Sequence, residues 1–357
     1  MIRRICLLSF LLALFSVTNA QSTLAFADSI RKAYHIPEIA YAVVSSTGIY
    51  EMQTIGIKKI NTTRVAEATD KFRIGSNTKA ITGFIAALLV KQNKITWDTK
   101  FFDLYPELKA KSKKVYYNVT LLNLLSFRTK LFPYTYTYAE PTKKQFTGNE
   151  DEQRYQFTKW FFQQEPVAGE DSIHFSNLGY VAAALMLEKV SGKIYKQLVA
   201  DLGTQLNIHF DFGAPNATNS LQPWGHDKDL KPEAPADNYK LNWLLAAGNI
   251  TLSLPDYVKF IQLQLQGLAG QSKLLSKEEF EFLHYGLYKF AVGWFWLKNE
   301  DGQSYSYNIG NPGTFLSKVY VFKDIDKAYI LLSNAQSPDT DKGLSTLFNE
   351  LERKYSQ

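Results

Sequence analysis

Strand-like sequence is concentrated at the two ends of this chain, and that placement constrains the fold more than any other feature. Near the N-terminus, "IAYAVVSSTGIYEMQTIGIKK" reads as two strands joined by a turn at Thr47-Gly48. Near the C-terminus, "FAVGWFWLK", "SYSYNIG", "SKVYVFK" and "KAYILLSN" read as strands separated by polar turns, and a last helix spans about Lys342 to Lys354. The middle, from about Ile95 to Tyr285, is mostly helical with long polar or aromatic loops. It includes "NLGYVAAALMLEKVSGK", a helix closed by Gly192, and "SLPDYVKFIQLQLQG", where Ser253 and Pro255 suit a helix start. An α/β (α+β) fold follows, with one sheet assembled from about 36–60 and 288–335 and a helical insertion over about 95–285. The natural place for a site is the cleft between those two parts.

Residues 1–20 stand apart. Arg3 and Arg4 precede "ICLLSFLLALFSV", and Thr18 and Ala20 supply small residues at cleavage spacing, which predicts a secretory signal peptide and a mature chain of residues 21–357. We expect a secreted or periplasmic protein cut near Ala20. No later segment approaches the roughly 20 apolar residues of a membrane span. With 45% hydrophobic and 21% charged residues, the chain has the make-up of a globular protein with a sizeable core. The single cysteine, Cys6, lies inside the leader, which leaves the mature chain no disulfide and no thiol nucleophile.

The lysines are scattered except in "KAKSKK", Lys109 to Lys114, a run expected to be a solvated loop and not a nucleic-acid surface. Asn-x-Thr sequons occur at Asn61, Asn118, Asn216 and Asn249, with meaning only in a eukaryotic secretory pathway. The five histidines lack the spacing of a zinc site, His209 and Asp211 in "HFD" being the nearest approach to one, and no glycine-rich phosphate loop is present. Neither a metal nor any other cofactor is expected.

One short motif carries chemistry. Ser76-Asn-Thr-Lys79 stands at the threshold of a helix from about Asn77 to Lys91, whose residues Ile81, Phe84, Ile85, Leu88 and Leu89 define an apolar face. Ser-x-x-Lys by itself is a weak signal, since a chain this long holds about two by chance. The other instance, Ser29 to Lys32, has no such context and reads as a solvated helix face. At Ser76, a lysine three residues on projects from the same side of the helix and can reach the serine. The helix start offers free N–H groups and partial positive charge for an oxyanion, and a desolvated lysine can take the serine proton. Read alone, the segment is equally compatible with an N-cap serine beside a surface lysine.

The wider pattern resolves that balance by resemblance. "FRIGSNTKAITGFIAALLVKQNKITWD", "FSNLGYVAAALMLEKVSGK" and "GWFWLKNE" with "YNIGNPGTF" resemble, in order and spacing, the serine β-lactamase and D-alanyl-D-alanine peptidase superfamily. The similarity is to its class C and esterase-like branch, from about Ala40 to Ala335. The resemblance implies a β-lactamase/transpeptidase-like fold, an antiparallel sheet from both chain ends flanked by helices. It assigns Ser76 as the acylated nucleophile and Lys79 as the general base. It makes Asn177 a substrate-binding amide, Asn308 and Gly310 the third motif on a cleft-lining strand, and the N–H of Asn311 the partner of Ser76 in the oxyanion hole.

Two positions depart from the family pattern. Phe175 stands where the second motif has a tyrosine, and Asn308 where the third has lysine or histidine. Ser126 and Phe127 also replace the opening of a loop that commonly reads His-Thr-Ser-Gly. A positioned proton carrier contributes roughly 10² to 10⁴ in rate, or about 3 to 5 kcal/mol, so the missing phenol weakens catalysis and deacylation first. Tyr134, Tyr136, Tyr138 and Tyr307 are nearby hydroxyls, Tyr307 facing away from Asn308 on a regular strand, and His174 adjoins Phe175. The sequence thus supports an exported serine hydrolase of an ester, amide or peptide, acting as a monomer. The alternative is an impaired β-lactamase-fold protein that binds a peptidoglycan-like or small acyl ligand without turnover.

Overall fold

The computed structural model describes residues 23–169, 172–235 and 238–356. The expected leader lies outside the described residues. Six strands form the main antiparallel sheet: β1 (Glu38–Val44), β2 (Ile49–Gly56), β6 (Phe295–Lys298), β7 (Ser304–Gly310), β8 (Leu316–Phe322) and β9 (Lys327–Ser333). Their order is β2-β1-β9-β8-β7-β6, so the N-terminal hairpin joins the C-terminal meander through β1 and β9, with Ala42 opposite Ile330. A smaller sheet, ordered β3-β5-β4, combines β3 (Lys71–Arg73), β4 (Asp211–Phe212) and β5 (Ile250–Ser253).

Every residue of β1 is buried, which fits a strand covered on both faces. Ala40, Ala42 and Val44 belong to the core shared with the helical body. Ile39, Tyr41 and Val43 pack instead with Ala27, Leu344, Leu347 and Leu351 from helices at the two chain ends. The C-terminal helix is longer than the sequence suggested, Pro338–Tyr355, because Ser337 accepts from the Thr340 N–H and Pro338 fits the first turn.

The helix after the serine is Thr78–Lys91, preceded by one 3-10 turn, Gly75–Asn77. Sequence periodicity implied one buried face. The structure buries eleven of its fourteen residues, Lys79 and Thr82 among them, because the helix runs through the middle of the molecule. On one side Phe84 meets Phe260 and Phe280 edge-on or tilted, and on the other Thr82 bonds the Tyr195 hydroxyl and the Ala246 carbonyl. A charged side chain near the start of such a helix is removed from water by its position alone. The Leu178–Ser191 helix is buried over ten residues and ends at Gly192 in the left-handed conformation, as its sequence indicated.

Candidate active site

The turn that carries Ser76 is shaped by two glycines in contact. Gly75 has φ +51°, and a side chain there would come within 2.7 Å of the Asn311 nitrogen; at Gly310 it would come within 1.9 Å of the Ile74 carbonyl oxygen. Only bare backbone lets the turn and the end of β7 approach this closely. The approach places the N–H groups of Ser76 and Asn311 at the same cleft. Among the described residues neither N–H donates to an internal acceptor. Ser317 ties the junction by donating to the Ile74 carbonyl at 2.8 Å, and the Asn77 side chain donates to Ser317 at 3.0 Å.

Lys79 is 1% exposed, and its Nζ lies 2.9 Å from Ser76 Oγ, 2.8 Å from Asn177 Oδ1 and 2.8 Å from the Ala247 carbonyl oxygen. Asn177 is held in that orientation because its Nδ2 donates to the Tyr134 carbonyl at 2.7 Å, which turns the oxygen toward the lysine. Among the described residues no carboxylate pairs with Lys79, and burial lowers its pKa from the usual 10.5 to about 7. The three acceptors have a chemical consequence. An ammonium can donate to all three. After losing a proton, the amine keeps two N–H bonds for Asn177 Oδ1 and Ala247 O, neither of which can donate, so the lone pair is left facing the one partner that can, Ser76 Oγ.

The other residues singled out in the sequence fall into two groups. Asn177, Gly310 and Asn311 gather at the serine. Asn308 is not among the residues that line the pocket at Ser76: its side chain is fully buried and its Nδ2 donates to the Gly293 carbonyl at 2.5 Å. That hydrogen bond joins β7 to the Gly293 turn. Phe175 is 43% exposed, with its ring centroid 5.5 Å from Lys79 Nζ. Where a phenol would stand, the structure has an aromatic wall. Phe127, buried and in the left-handed region with φ +60°, packs at 4.8 Å on Phe175 and stacks at 4.1 Å on Phe290. The altered loop opening at Ser126-Phe127 thus fills with aromatic carbon.

Tyr307 is directed away from Asn308, as strand alternation requires, and stacks on Phe295 and Tyr320. Of the loop tyrosines, Tyr134 is fully buried and Tyr138 is 40% exposed, whereas Tyr136 lines the cleft beside Ser76. His209 and Asp211 approach to 3.4 Å, but Asp211 is also paired with Lys71, and no metal-sized cluster exists among the described residues. The second Ser-x-x-Lys lies on a helix face with Ser29 and Lys32 exposed and Lys32 paired to Asp28. Asn216 and Asn249 of the sequons are buried.

Several cleft elements have no local sequence signal. Ala247 contributes only its carbonyl, and Leu241, Leu244, Gly248 and Pro312 arrive from segments far apart in the chain. Behind them, Arg73 is buried against Glu233 at 3.4 Å and Asn249 at 3.0 Å, and Glu233 also accepts from Thr314 at 2.5 Å. This network clamps β3 to the segment after β7, so the turn at Ser76 and the Asn311 backbone keep their spacing.

A serine whose hydroxyl faces a buried lysine, on a helix start packed against the end of a strand in an antiparallel sheet, is the arrangement of a nucleophile beside a base. The family comparison agrees: a model of the beta-lactamase family matches residues 25–350, and the chain belongs to that family. No curated protein matches it significantly in sequence. Solved structures share the fold at low identity. An octameric penicillin-binding protein homologue from Pyrococcus abyssi superposes with a TM-score of 0.74 at 16% identity, covering 93% of this chain and 77% of that one. A D-alanine carboxypeptidase from Burkholderia cenocepacia gives 0.72 at 16% identity over 94% and 99%. A D-amino acid amidase from Ochrobactrum anthropi SV3, complexed with L-phenylalanine amide, gives 0.73 at 16% over 94% and 99%.

Proposed function

We propose that the chain is a serine hydrolase that forms an acyl-Ser76 intermediate on an ester, amide or peptide. The observation that carries this reading is the 2.9 Å contact between Ser76 Oγ and the Nζ of a lysine that burial holds near neutrality. Lys79 takes the hydroxyl proton as Ser76 Oγ attacks the acyl carbon. The N–H groups of Ser76 and Asn311 receive the oxyanion. Collapse breaks the bond to the leaving group, which departs with the proton from Lys79. A water then attacks the acyl-serine, giving its proton to Lys79, which returns it to Ser76 Oγ as the acid leaves.

Deacylation is the weak step, because Phe175 offers no hydroxyl to help orient or deprotonate that water. Asn308, neutral and engaged with Gly293, supplies no cation for a substrate carboxylate, which favours neutral esters and amides. Turnover of an activated ester is expected to vanish in Ser76→Ala; undiminished turnover in that variant sinks the assignment. The second reading, a binding protein for a peptidoglycan-like or small acyl ligand, draws on Phe175 and Asn308 alone. It requires ligand affinity that survives Ser76→Ala, and multiple turnover by the wild type contradicts it.

The leader-like pattern of residues 1–20 supports export, and the exported protein is expected to begin at Gln21, which N-terminal sequencing reads. A monomer is the expected state, in contrast to the octamer described for the Pyrococcus abyssi protein, and light scattering distinguishes them.

A further inference from the structure

The pocket beside Ser76 is small and uncharged. Its walls include Tyr136, Leu241, Leu244, Ala247 and Pro312, and among the described residues no charged side chain lines it. The void measures about 50 Å³. A site of that size holds a few waters, the bulk of a short acyl chain and not of a long or branched one. Of the cations near it, Lys79 is engaged with Ser76, Asn177 and Ala247, and Arg73 is paired with Glu233.

Tyr136 is the wall with the most substance, and its position is tied to the nucleophile. Two residues before it, the Tyr134 carbonyl accepts from Asn177, the same amide that orients Lys79. On its other side the ring rests against Gly313, where any side chain would come within 2.3 Å of the Tyr136 hydroxyl and 2.8 Å of the ring carbon bearing it. Gly313, at φ +100°, is one residue from Pro312 and two from Asn311. The ring therefore spans from the Asn177 side of the cleft to the oxyanion side and occupies a notch that only glycine leaves open.

We infer that Tyr136 is the end wall of the acyl pocket and restricts the group carried on Ser76 to short, uncharged acyl chains. The inference rests on the hydrolase reading above and specifies its substrate class. Tyr136 is a specificity-determining residue whose ring, not its hydroxyl, does the excluding. One methylene too many in such a pocket is worth roughly 10- to 200-fold in discrimination.

The test is a series of p-nitrophenyl esters from acetyl to octanoyl, with wild type, Tyr136→Ala, Tyr136→Leu, Tyr136→Phe and Ser76→Ala. In the wild type, kcat/KM should fall at least tenfold from butyryl to octanoyl, and a succinyl half-ester should be at least tenfold poorer than butyryl. Tyr136→Ala should raise the octanoyl-to-butyryl ratio at least tenfold. Tyr136→Phe should leave it within threefold of wild type. If Tyr136→Ala does not fold, Tyr136→Leu reads the same ratio at smaller amplitude. If acylation outruns turnover, the ratio is read from the rate of adduct formation by intact mass. Ser76-dependent rates or adducts whose chain-length profile is flat, or unmoved by Tyr136→Ala and Tyr136→Leu, overturn the end-wall assignment alone. Absence of any Ser76-dependent rate or adduct overturns the hydrolase reading and this inference with it.

Discussion

Replacing Asn177 with aspartate puts a carboxylate oxygen where Oδ1 now sits, 2.8 Å from Lys79 Nζ, with almost no change in shape. In the wild type burial lowers the lysine's pKa to about 7. The neutral fraction available to deprotonate Ser76 is then about one in a hundred at pH 5, half at pH 7 and about nine in ten at pH 8. Acylation should rise tenfold per pH unit up to about pH 7 and level off above it. An opposite charge at this distance favours the ammonium and raises the lysine pKa by about 1 to 3 units. In Asn177→Asp the limb should therefore move to about pH 8 to 10, and labelling at pH 7 should fall roughly 5- to 500-fold, to be recovered at alkaline pH. The assay is the second-order rate of inactivation by a fluorophosphonate between pH 5 and 10, which needs no deacylation. Recovery at high pH shows that the variant is folded. A limb that stays near pH 7, or a rate independent of pH in the wild type, would refute the claim that neutral Lys79 is the base.

The same lysine links activity to stability. Its folded pKa lies below the unfolded 10.5, so the penalty for burying charge is full below about pH 7 and is relieved as pH rises toward 10.5. Compared with Lys79→Met in urea titrations, the wild type should gain up to about 3 kcal/mol between pH 7 and 9; parallel curves would contradict this. Glu38 behaves oppositely: burial first, then neighbouring Asp70, pushes its carboxyl well above the usual 4.5, with Lys58 only partly opposing. The wild type should lose stability as pH rises above about 4.5, and Glu38→Gln should flatten that loss between pH 5 and 8; equal losses in the two proteins would show that Glu38 is ionised. Restoring the missing phenol as Phe175→Tyr, at a ring centred 5.5 Å from Lys79 Nζ, should speed release of an acyl group by at least about tenfold. Adduct lifetimes measured by intact mass, unchanged in that variant, would place the deacylation defect elsewhere.

The sheet built from both chain ends was legible because strand periodicity is local, and the Ser76 to Lys79 contact because helical spacing fixes it. Asn177 and Asn311 became candidates only through motif resemblance, since nothing in their own segments brings them to Ser76. What could not be read depends on long-range packing. Burial of Lys79 on nearly all sides requires knowing that the Leu245–Gly248 turn and the Leu178–Ser191 helix close over it. Asn308 sits on the expected strand, yet its amide is engaged by the Gly293 carbonyl, a contact of two segments with no shared pattern. Tyr136 was one hydroxyl among several in an aromatic loop, and its place beside Ser76 and the Gly313 notch distinguish it. Phe127 looked like a simple loop substitution; its stack with Phe290 and Phe175 turns it into a wall of the site.

The most direct test is intact-mass analysis of the mature protein and of Ser76→Ala after incubation with a fluorophosphonate, a penicillin and a chromogenic ester. The account predicts an adduct on the wild type with at least the fluorophosphonate, mapped to Ser76 by peptide sequencing and absent from the variant. An unmodified wild type with every probe, or an equal adduct on both proteins, would contradict it.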